Sequence, residues 1–82
     1  MYVIYGVTDC PHCLRAQALC MEKDIEYVWV SMDWSKTYRE DIKKRKNWST
    51  YPVITRYSTL EASELLVGGF DELQLELISL DQ

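Results

Sequence analysis

Two cysteines, Cys10 and Cys13, lie between an apolar run and a helix-forming segment, and this placement constrains the fold most strongly. Residues 2–5 are β-branched and aromatic, which predicts a buried strand. Pro11 suits a first helical position, because its missing N–H costs nothing there. The sequence therefore predicts a strand, a short loop and a helix that begins at the first cysteine.

The remaining elements follow from hydrophobic spacing and from turn residues. We predict a helix over 11–23, a strand over 25–31, a helix over 35–46 with Ser35 as its N-cap, a strand over 53–57, a turn at Ser58 and Thr59, a strand within 60–67, a break at Gly68 and Gly69, and a final helix with Phe70, Leu73, Leu77 and Leu80 on one face. This order, β-α-β-α-β-β-α, predicts an α/β fold with a four-stranded mixed sheet flanked by three helices. A chain of 82 residues has room for one domain, which we expect to span residues 1–82.

Charge and hydropathy exclude several classes of function. The net charge of −4 argues against nucleic acid as the main partner, because phosphate binding needs a basic surface. No apolar run approaches the roughly 20 residues that cross a membrane, and the first residues do not resemble a signal peptide. We therefore expect a cytoplasmic protein without membrane contact. The basic cluster Lys43–Lys46 is typical of a solvated helix end, with a site for an acidic ligand as the alternative.

The Cys10-Pro11-His12-Cys13 motif predicts redox chemistry. A thiolate at a helix N-terminus faces backbone N–H groups and the positive end of the helix dipole, which lowers the pKa of the thiol. Cys10 is therefore the predicted nucleophile. Cys13, one turn further into the helix, is the predicted resolving thiol. Pro11 and His12 are expected to tune the couple, Pro11 by stiffening the turn and His12 by offering an imidazole that can carry charge.

The third cysteine and the single histidine allow a competing interpretation. Cys10, His12, Cys13 and Cys20 could be considered as zinc ligands, but structural zinc sites usually show two separated ligand pairs, and this chain has no second pair. We therefore predict no metal. Cys20 shares a helix face with Cys13, which is typical of a small buried hydrophobic residue, and a regulatory thiol is the alternative.

Three motifs in this order resemble those of the glutaredoxins, a family with the thioredoxin-like fold. The segment 10–16, Cys-Pro-His-Cys-Leu-Arg-Ala, is similar to the family's Cys-Pro-Tyr-Cys-x-Arg-Ala. Thr50-Tyr51-Pro52 resembles its Thr-Val-Pro, in which the proline is cis. The segment 68–73, Gly-Gly-Phe-Asp-Glu-Leu, resembles its Gly-Gly-x-Asp-Asp-Leu. The compact size is similar to that of virally encoded dithiol glutaredoxins.

The resemblance implies glutathione as co-substrate, without a bound cofactor, and a monomer that reduces disulfides in proteins such as ribonucleotide reductase. By analogy, the segment Thr50, Tyr51 and Pro52 would pair with the cysteinyl part of glutathione as an added strand does. Gly69, Phe70 and Asp71 would hold the γ-glutamyl end, because N–H groups at a helix start suit a carboxylate and an aspartate suits an ammonium group.

Three residues depart from the family's pattern. His12 stands where glutaredoxins usually have tyrosine, Val7 where a lysine is common, and Trp48 near where a basic residue often lies. These departures keep open a thioredoxin-like electron carrier or oxidant that glutathione does not serve. The resemblance itself leaves a further alternative, a non-enzymatic protein that binds a metal or an iron–sulfur cluster as some glutaredoxins do.

Overall fold

The computed structural model describes residues 1–80, except for the side chain of Leu80. It contains the predicted seven elements in the predicted order: β1 (Tyr2–Gly6), α1 (Pro11–Glu22), β2 (Tyr27–Ser31), α2 (Lys36–Lys46), β3 (Val53–Ser58), β4 (Ser63–Gly68) and α3 (Phe70–Leu80). Ser35 is the N-cap of α2, as predicted, and its hydroxyl accepts the N–H of Tyr38. The predicted inward orientation of Leu80 lies outside the described side chains.

Several predicted boundaries were wrong by one or two residues. α1 ends at Glu22 rather than at residue 23, and Gly68, predicted as part of a break, is the last residue of β4 and lies opposite Ile54. β2 begins at Tyr27 rather than at residue 25, because the N–H of Ile25 donates to the carbonyl of Cys20 and is not available to the sheet. The predicted turn at Ser58 and Thr59 also lies further along the chain. Ser58 still pairs with Ser63, and the turn covers residues 59–62, with Ala62 in the left-handed region at φ 50°.

The four strands form one mixed sheet in the order β2-β1-β3-β4. β1 and β2 are parallel, as the βαβ pattern of the sequence predicts, and β3 pairs antiparallel with both β1 and β4. In this arrangement β1 and β4 end, and β3 begins, at the same edge. The register places Tyr5 opposite Val53 and Ile54 opposite Gly68.

One face of the sheet packs against α1 and α3. Its fully or nearly fully buried core consists of Tyr2, Ile4, Ala16, Cys20, Ile54, Leu73 and Leu77. Successive side chains of a strand point to opposite faces, so Tyr5 and Thr55 lie on the other side of the sheet from Ile4 and Ile54. α2 lies on that other side, where its last residue, Lys46, forms an ion pair with Glu64 of β4.

The face under α2 contains a polar cluster around Glu64. The carboxylate accepts hydrogen bonds from the Tyr5 hydroxyl at 2.7 Å and from the buried Thr55 hydroxyl at 2.6 Å, and Lys46 pairs with it at 3.2 Å. Burial raises the pKa of Glu64, but these hydrogen bonds outweigh burial and hold the pKa below its ordinary value. The cluster therefore joins β1, β3, β4 and α2 through one ionised group.

The shared edge of the sheet is where the sequence motifs meet. The loop that follows Gly6 leads into α1, the segment before Val53 carries Pro52, and Gly68 leads into α3. Chain segments separated by up to about sixty residues are thus brought side by side. Among the described residues, no helix has both the length and the apolar character needed to cross a membrane.

Candidate active site

Cys10 is the N-cap of α1. Its backbone is extended, at φ −127° and ψ 102°, and its sulfur accepts the N–H of Cys13 at 3.2 Å. The two sulfurs are joined in a disulfide, with the Cα atoms 5.2 Å apart. The two residues differ in access to solvent, because Cys10 is partly exposed and Cys13 is fully buried. An incoming thiol therefore reaches the sulfur of Cys10 more readily than that of Cys13.

A close approach behind the motif requires glycine at position 6. A Cβ built on Gly6 would lie 2.5 Å from the ring of Trp29 and 3.2 Å from the Cβ of Cys13. The absence of a side chain lets the Trp29 ring pack beside the buried cysteine. The sequence analysis did not single out Gly6, although a glycine at the end of a strand signals a close backbone approach.

Seven of the ten residues that the sequence analysis proposed for the site line one cleft of about 330 Å³. The lining residues are His12, Trp48, Thr50, Tyr51, Pro52, Gly69, Phe70, Asp71 and Glu72. Cys10, Pro11 and Cys13 do not line it. His12 connects the cysteine motif to this cleft, and its ring centroid lies 6.3 Å from that of Phe70.

The segment before β3 forms one wall of the cleft. The peptide bond between Tyr51 and Pro52 is cis, as the resemblance implied, and Pro52 is buried. The hydroxyl of Tyr51 donates to the carbonyl of Arg39 at 2.9 Å, and the amino group of Lys43 lies 5.5 Å from the centre of the Tyr51 ring. These contacts attach the wall of the cleft to α2.

The start of α3 forms the opposite wall. Gly69 is the N-cap, because its carbonyl accepts the N–H of Leu73 at 3.1 Å. The N–H of Gly69 donates to Glu72 Oε1 at 2.9 Å, which is half of a capping box. Gly69 was expected to help hold a ligand, but in this structure its N–H already donates a hydrogen bond to the Glu72 side chain. Phe70 and Asp71, the first two helical residues, have N–H groups without an acceptor inside the helix.

The sequence analysis missed two further residues: Glu72, which lines the cleft, and Asp33, which holds the loop before Cys10. Glu72 could have been recognised from its position three residues after the N-cap. Asp33 had no such signal, because its partner is 25 residues away in the loop before Cys10. The Asp33 carboxylate accepts hydrogen bonds from the hydroxyl and the N–H of Thr8, the latter at 3.0 Å. The hydrogen bonds from Thr8 hold the pKa of Asp33 below its ordinary value.

Trp48 and Cys20 each have a clear place in the structure. Trp48 lines the cleft, and its indole nitrogen is buried without a hydrogen-bond partner among the described residues. Cys20 is fully buried in the core with Ala16, which confirms the predicted helix face, and burial raises the pKa of its thiol. Within residues 1–80, no group of three or more His, Cys, Asp or Glu side chains is arranged to hold a metal ion.

Comparison with known proteins identifies relatives that cover most of the chain. A family model described as glutaredoxin matches residues 2–56. Glutaredoxin 3 of Escherichia coli strain K12 is 33% identical over 70 residues, which are 85% of this chain and 77% of that protein. The solution structure of a glutaredoxin from Brucella melitensis superposes with a TM-score of 0.74 at 28% identity, over 95% of this chain and 78% of that one. A crystal structure of a thioredoxin-like protein, 16% identical with a TM-score of 0.68, shares the fold over 94% of this chain and 97% of that one.

Proposed function

This chain belongs to the glutaredoxin family, whose members are thiol–disulfide oxidoreductases, and we propose that it is a dithiol glutaredoxin that uses glutathione to reduce disulfides in proteins. The observation that carries the proposal is the single cleft in which His12, the Tyr51–Pro52 segment and the start of α3 meet. A redox motif alone would not require such a cleft, whereas a dithiol that is reduced by a small peptide thiol needs a cleft to bind that peptide.

The difference between the two cysteines supports a division of roles. Cys10, as a thiolate at the helix start, attacks one sulfur of a substrate disulfide, forming a mixed disulfide and releasing the other sulfur as a thiol. Cys13 then attacks the sulfur of Cys10, which releases the second substrate thiol and leaves the Cys10–Cys13 disulfide. The protein dithiol is oxidised and the substrate disulfide is reduced. Access supports this order, because Cys10 is the more exposed of the two residues.

Glutathione would return the protein to its dithiol form in two steps. One glutathione thiolate attacks Cys10, giving a mixed disulfide and the free thiol of Cys13. A second glutathione attacks the glutathione sulfur of that mixed disulfide, releasing oxidised glutathione and the Cys10 thiolate. In the cleft, the backbone of Tyr51 would pair with the cysteinyl part of the bound tripeptide. The N–H groups of Phe70 and Asp71 would face its γ-glutamyl carboxylate, and the Asp71 carboxylate its ammonium group.

We further propose a cytoplasmic monomer, with ribonucleotide reductase among the protein substrates. The support for a reducing compartment is the free thiol of Cys20 together with a dithiol that must be regenerated. The support for the substrate is membership of the family.

Equilibration with glutathione tests the central claim. The protein is incubated at fixed ratios of reduced to oxidised glutathione, free thiols are alkylated, and the disulfide fraction is read by mass spectrometry. We expect reversible conversion between dithiol and disulfide, with the Cys10→Ser variant forming no mixed disulfide with glutathione. A Cys10–Cys13 bond that dithiothreitol reduces and glutathione does not would contradict the proposal.

A second candidate function has specific support. Val7 and His12 depart from the family's pattern, and Glu72 occupies the N–H of Gly69, so the cleft offers glutathione fewer contacts than the motifs imply. This favours a carrier or oxidant of the thioredoxin type, which thioredoxin reductase and not glutathione would reduce. The same disulfide fraction, measured with that reductase and its nicotinamide cofactor, decides between the two. Metal analysis of freshly purified protein tests the remaining alternative, a metal or iron–sulfur protein.

A further inference from the structure

A second cavity, of about 510 Å³, adjoins the catalytic cleft. We call it the α2 groove, and the lining residues that matter here are Glu40, Lys43, Lys44, Asn47, Trp48 and Thr50. Trp48 and Thr50 line both spaces, so the groove begins where the cleft ends. A third depression, of about 380 Å³, shares Glu40 and Lys44 with the groove and continues along α2 to Lys36. A continuous path therefore leads from the cleft along the exposed side of α2.

The charges of α2 are divided unevenly between its faces. Of the four consecutive cations that end the helix, Arg45 pairs with Asp41 at 2.8 Å and Lys46 with Glu64 at 3.2 Å. Both pairs involve partners outside the groove. The positive charge of these two residues is therefore largely compensated. Glu64 lines neither space, and Asp41 lines the third depression, where its charge is paired with Arg45.

The two remaining cations line the groove. Lys43 has a long ion pair with Glu40, at 3.6 Å, and lies near the Tyr51 ring. Lys44 is exposed, and its side-chain amino group has no ion pair or hydrogen bond within residues 1–80. Glu40 compensates one of the two lysines at most, which leaves positive charge on the groove of a chain whose net charge is −4. An anionic ligand is therefore favoured here and disfavoured over the protein as a whole.

We propose that the α2 groove binds an acidic stretch of polypeptide next to the reactive disulfide of the protein substrate. The proposal rests on the proposed function only in that a substrate sulfur must reach Cys10. A polypeptide that runs past Tyr51 has to leave the cleft, and the exit over Thr50 and Trp48 leads into the groove. A tripeptide such as glutathione ends before this point, so the groove distinguishes protein substrates from glutathione. Exposed charges of this kind act mainly on the rate of association and on its dependence on salt.

Single-turnover kinetics with two matched peptides test the proposal. Each peptide of about ten residues carries one cysteine as a mixed disulfide with 2-mercaptoethanol, flanked by Asp and Glu in one peptide and by Asn and Gln in the other. The protein is reduced with dithiothreitol beforehand and desalted, so glutathione is not involved. Cys10 attacks the peptide sulfur and releases 2-mercaptoethanol. Cys13 then attacks the sulfur of Cys10 and releases the peptide thiol, which leaves the protein as the Cys10–Cys13 disulfide.

At low salt we expect the acidic peptide to react about threefold faster than its amide counterpart, although the net negative charge of the protein should repel it. In Lys44→Glu the ratio of the two rates should fall to one or below, and salt of about 0.5 M should have the same effect on the unchanged protein. Lys23→Glu, which makes the same charge change at the far end of α1, should keep the ratio. Melting temperatures verify that both variants are folded.

A ratio of one in the unchanged protein, or a preference that survives in Lys44→Glu, would overturn the groove as an acidic-peptide site. Failure of glutathione to reduce the Cys10–Cys13 disulfide is a separate result. It would refute the glutathione reaction and leave the peptide ratio as the measure of the groove.

Discussion

The backbone N–H of Cys13 donates a hydrogen bond of 3.2 Å to Cys10 Sγ, so the sulfur of the first cysteine caps the helix that contains the second. In the reduced protein this N–H and the helix dipole stabilise negative charge on Cys10, because hydrogen bonds to an ionised acceptor are stronger than those to a neutral one. Cys13 is buried and has no comparable position. The capping contact therefore favours ionisation of the Cys10 thiol over that of the Cys13 thiol.

We predict that Cys10 alkylates at lower pH than Cys13 in the reduced protein. Its thiolate is favoured by the helix start, whereas burial disfavours ionisation of Cys13. Timed iodoacetamide labelling over a pH series, read by mass spectrometry of each peptide, measures both rates. Cys20 is an internal control that should label last, because burial raises its pKa. Equal rates at Cys10 and Cys13 would contradict the capping argument.

Asp71→Asn is predicted to raise the KM for glutathione by about three- to tenfold, because the ammonium group of the tripeptide loses an ionic partner at the exposed start of α3. Turnover at saturating glutathione should change less. Asp24→Asn is the matched control, since Asp24 is exposed beyond α1 and its left-handed backbone, at φ 55°, tolerates asparagine. An unchanged KM in Asp71→Asn would remove that residue from the proposed glutathione site.

The adjacent glycines before α3 are predicted to respond differently to alanine. Gly68 has a φ of 129°, and a Cβ there would lie 2.7 Å from Glu72 Cγ, so Gly68→Ala should cost about 1–3 kcal/mol of unfolding free energy. A Cβ on Gly69 would meet Glu72 Oε1 at 3.3 Å and the carbonyl of Pro52 at 3.7 Å. It would narrow the cleft, so Gly69→Ala should chiefly raise the KM for glutathione. Urea unfolding and steady-state kinetics on both variants compare the two effects.

Glu64→Gln is predicted to lower stability at pH 7 by about 1–2 kcal/mol, because the amide weakens the contacts to Tyr5, Thr55 and Lys46. The folded state holds the pKa of Glu64 below 4.5, so this stabilisation is complete above that pH and is lost as the pH falls through the lowered pKa. The curves for Glu64→Gln and the unchanged protein should therefore approach each other in acid. The exposed Glu26→Gln is the control and should stay within about 0.5 kcal/mol at every pH.

Cys20→Ala is predicted to keep full disulfide reductase activity and to lose about 1 kcal/mol of stability, because it removes a fully buried sulfur from the core. Cys20→Ser should lose more, since its buried hydroxyl would need a hydrogen-bond partner. Thermal unfolding and turnover measured on the same samples separate the two effects. A drop in activity without a drop in stability would indicate a redox role for Cys20.

The local patterns of the sequence were sufficient for the order of the elements and for the position of Cys10 at the start of a helix. Strand 2–5, Pro11 at the helix start and the apolar spacing of α3 each depend on residues close together in the chain, where propensity and periodicity apply directly. The same local patterns did not fix the ends of the elements, because a contact outside the pattern can end a strand. Ile25 is a residue type that favours strands, but its N–H donates to the carbonyl of Cys20, and β2 begins at Tyr27.

Only the tertiary structure decided how the distant motifs meet and which polar groups hold them. The contact of Asp33 with Thr8, the cluster of Tyr5, Thr55 and Lys46 on Glu64, and the groove beside Trp48 join residues with no regular spacing. Their pairing follows from strand order and register, which a single sequence does not specify. The lysine run at the end of α2 shows the same limit, because its composition cannot tell which cations Asp41 and Glu64 compensate and which face the groove.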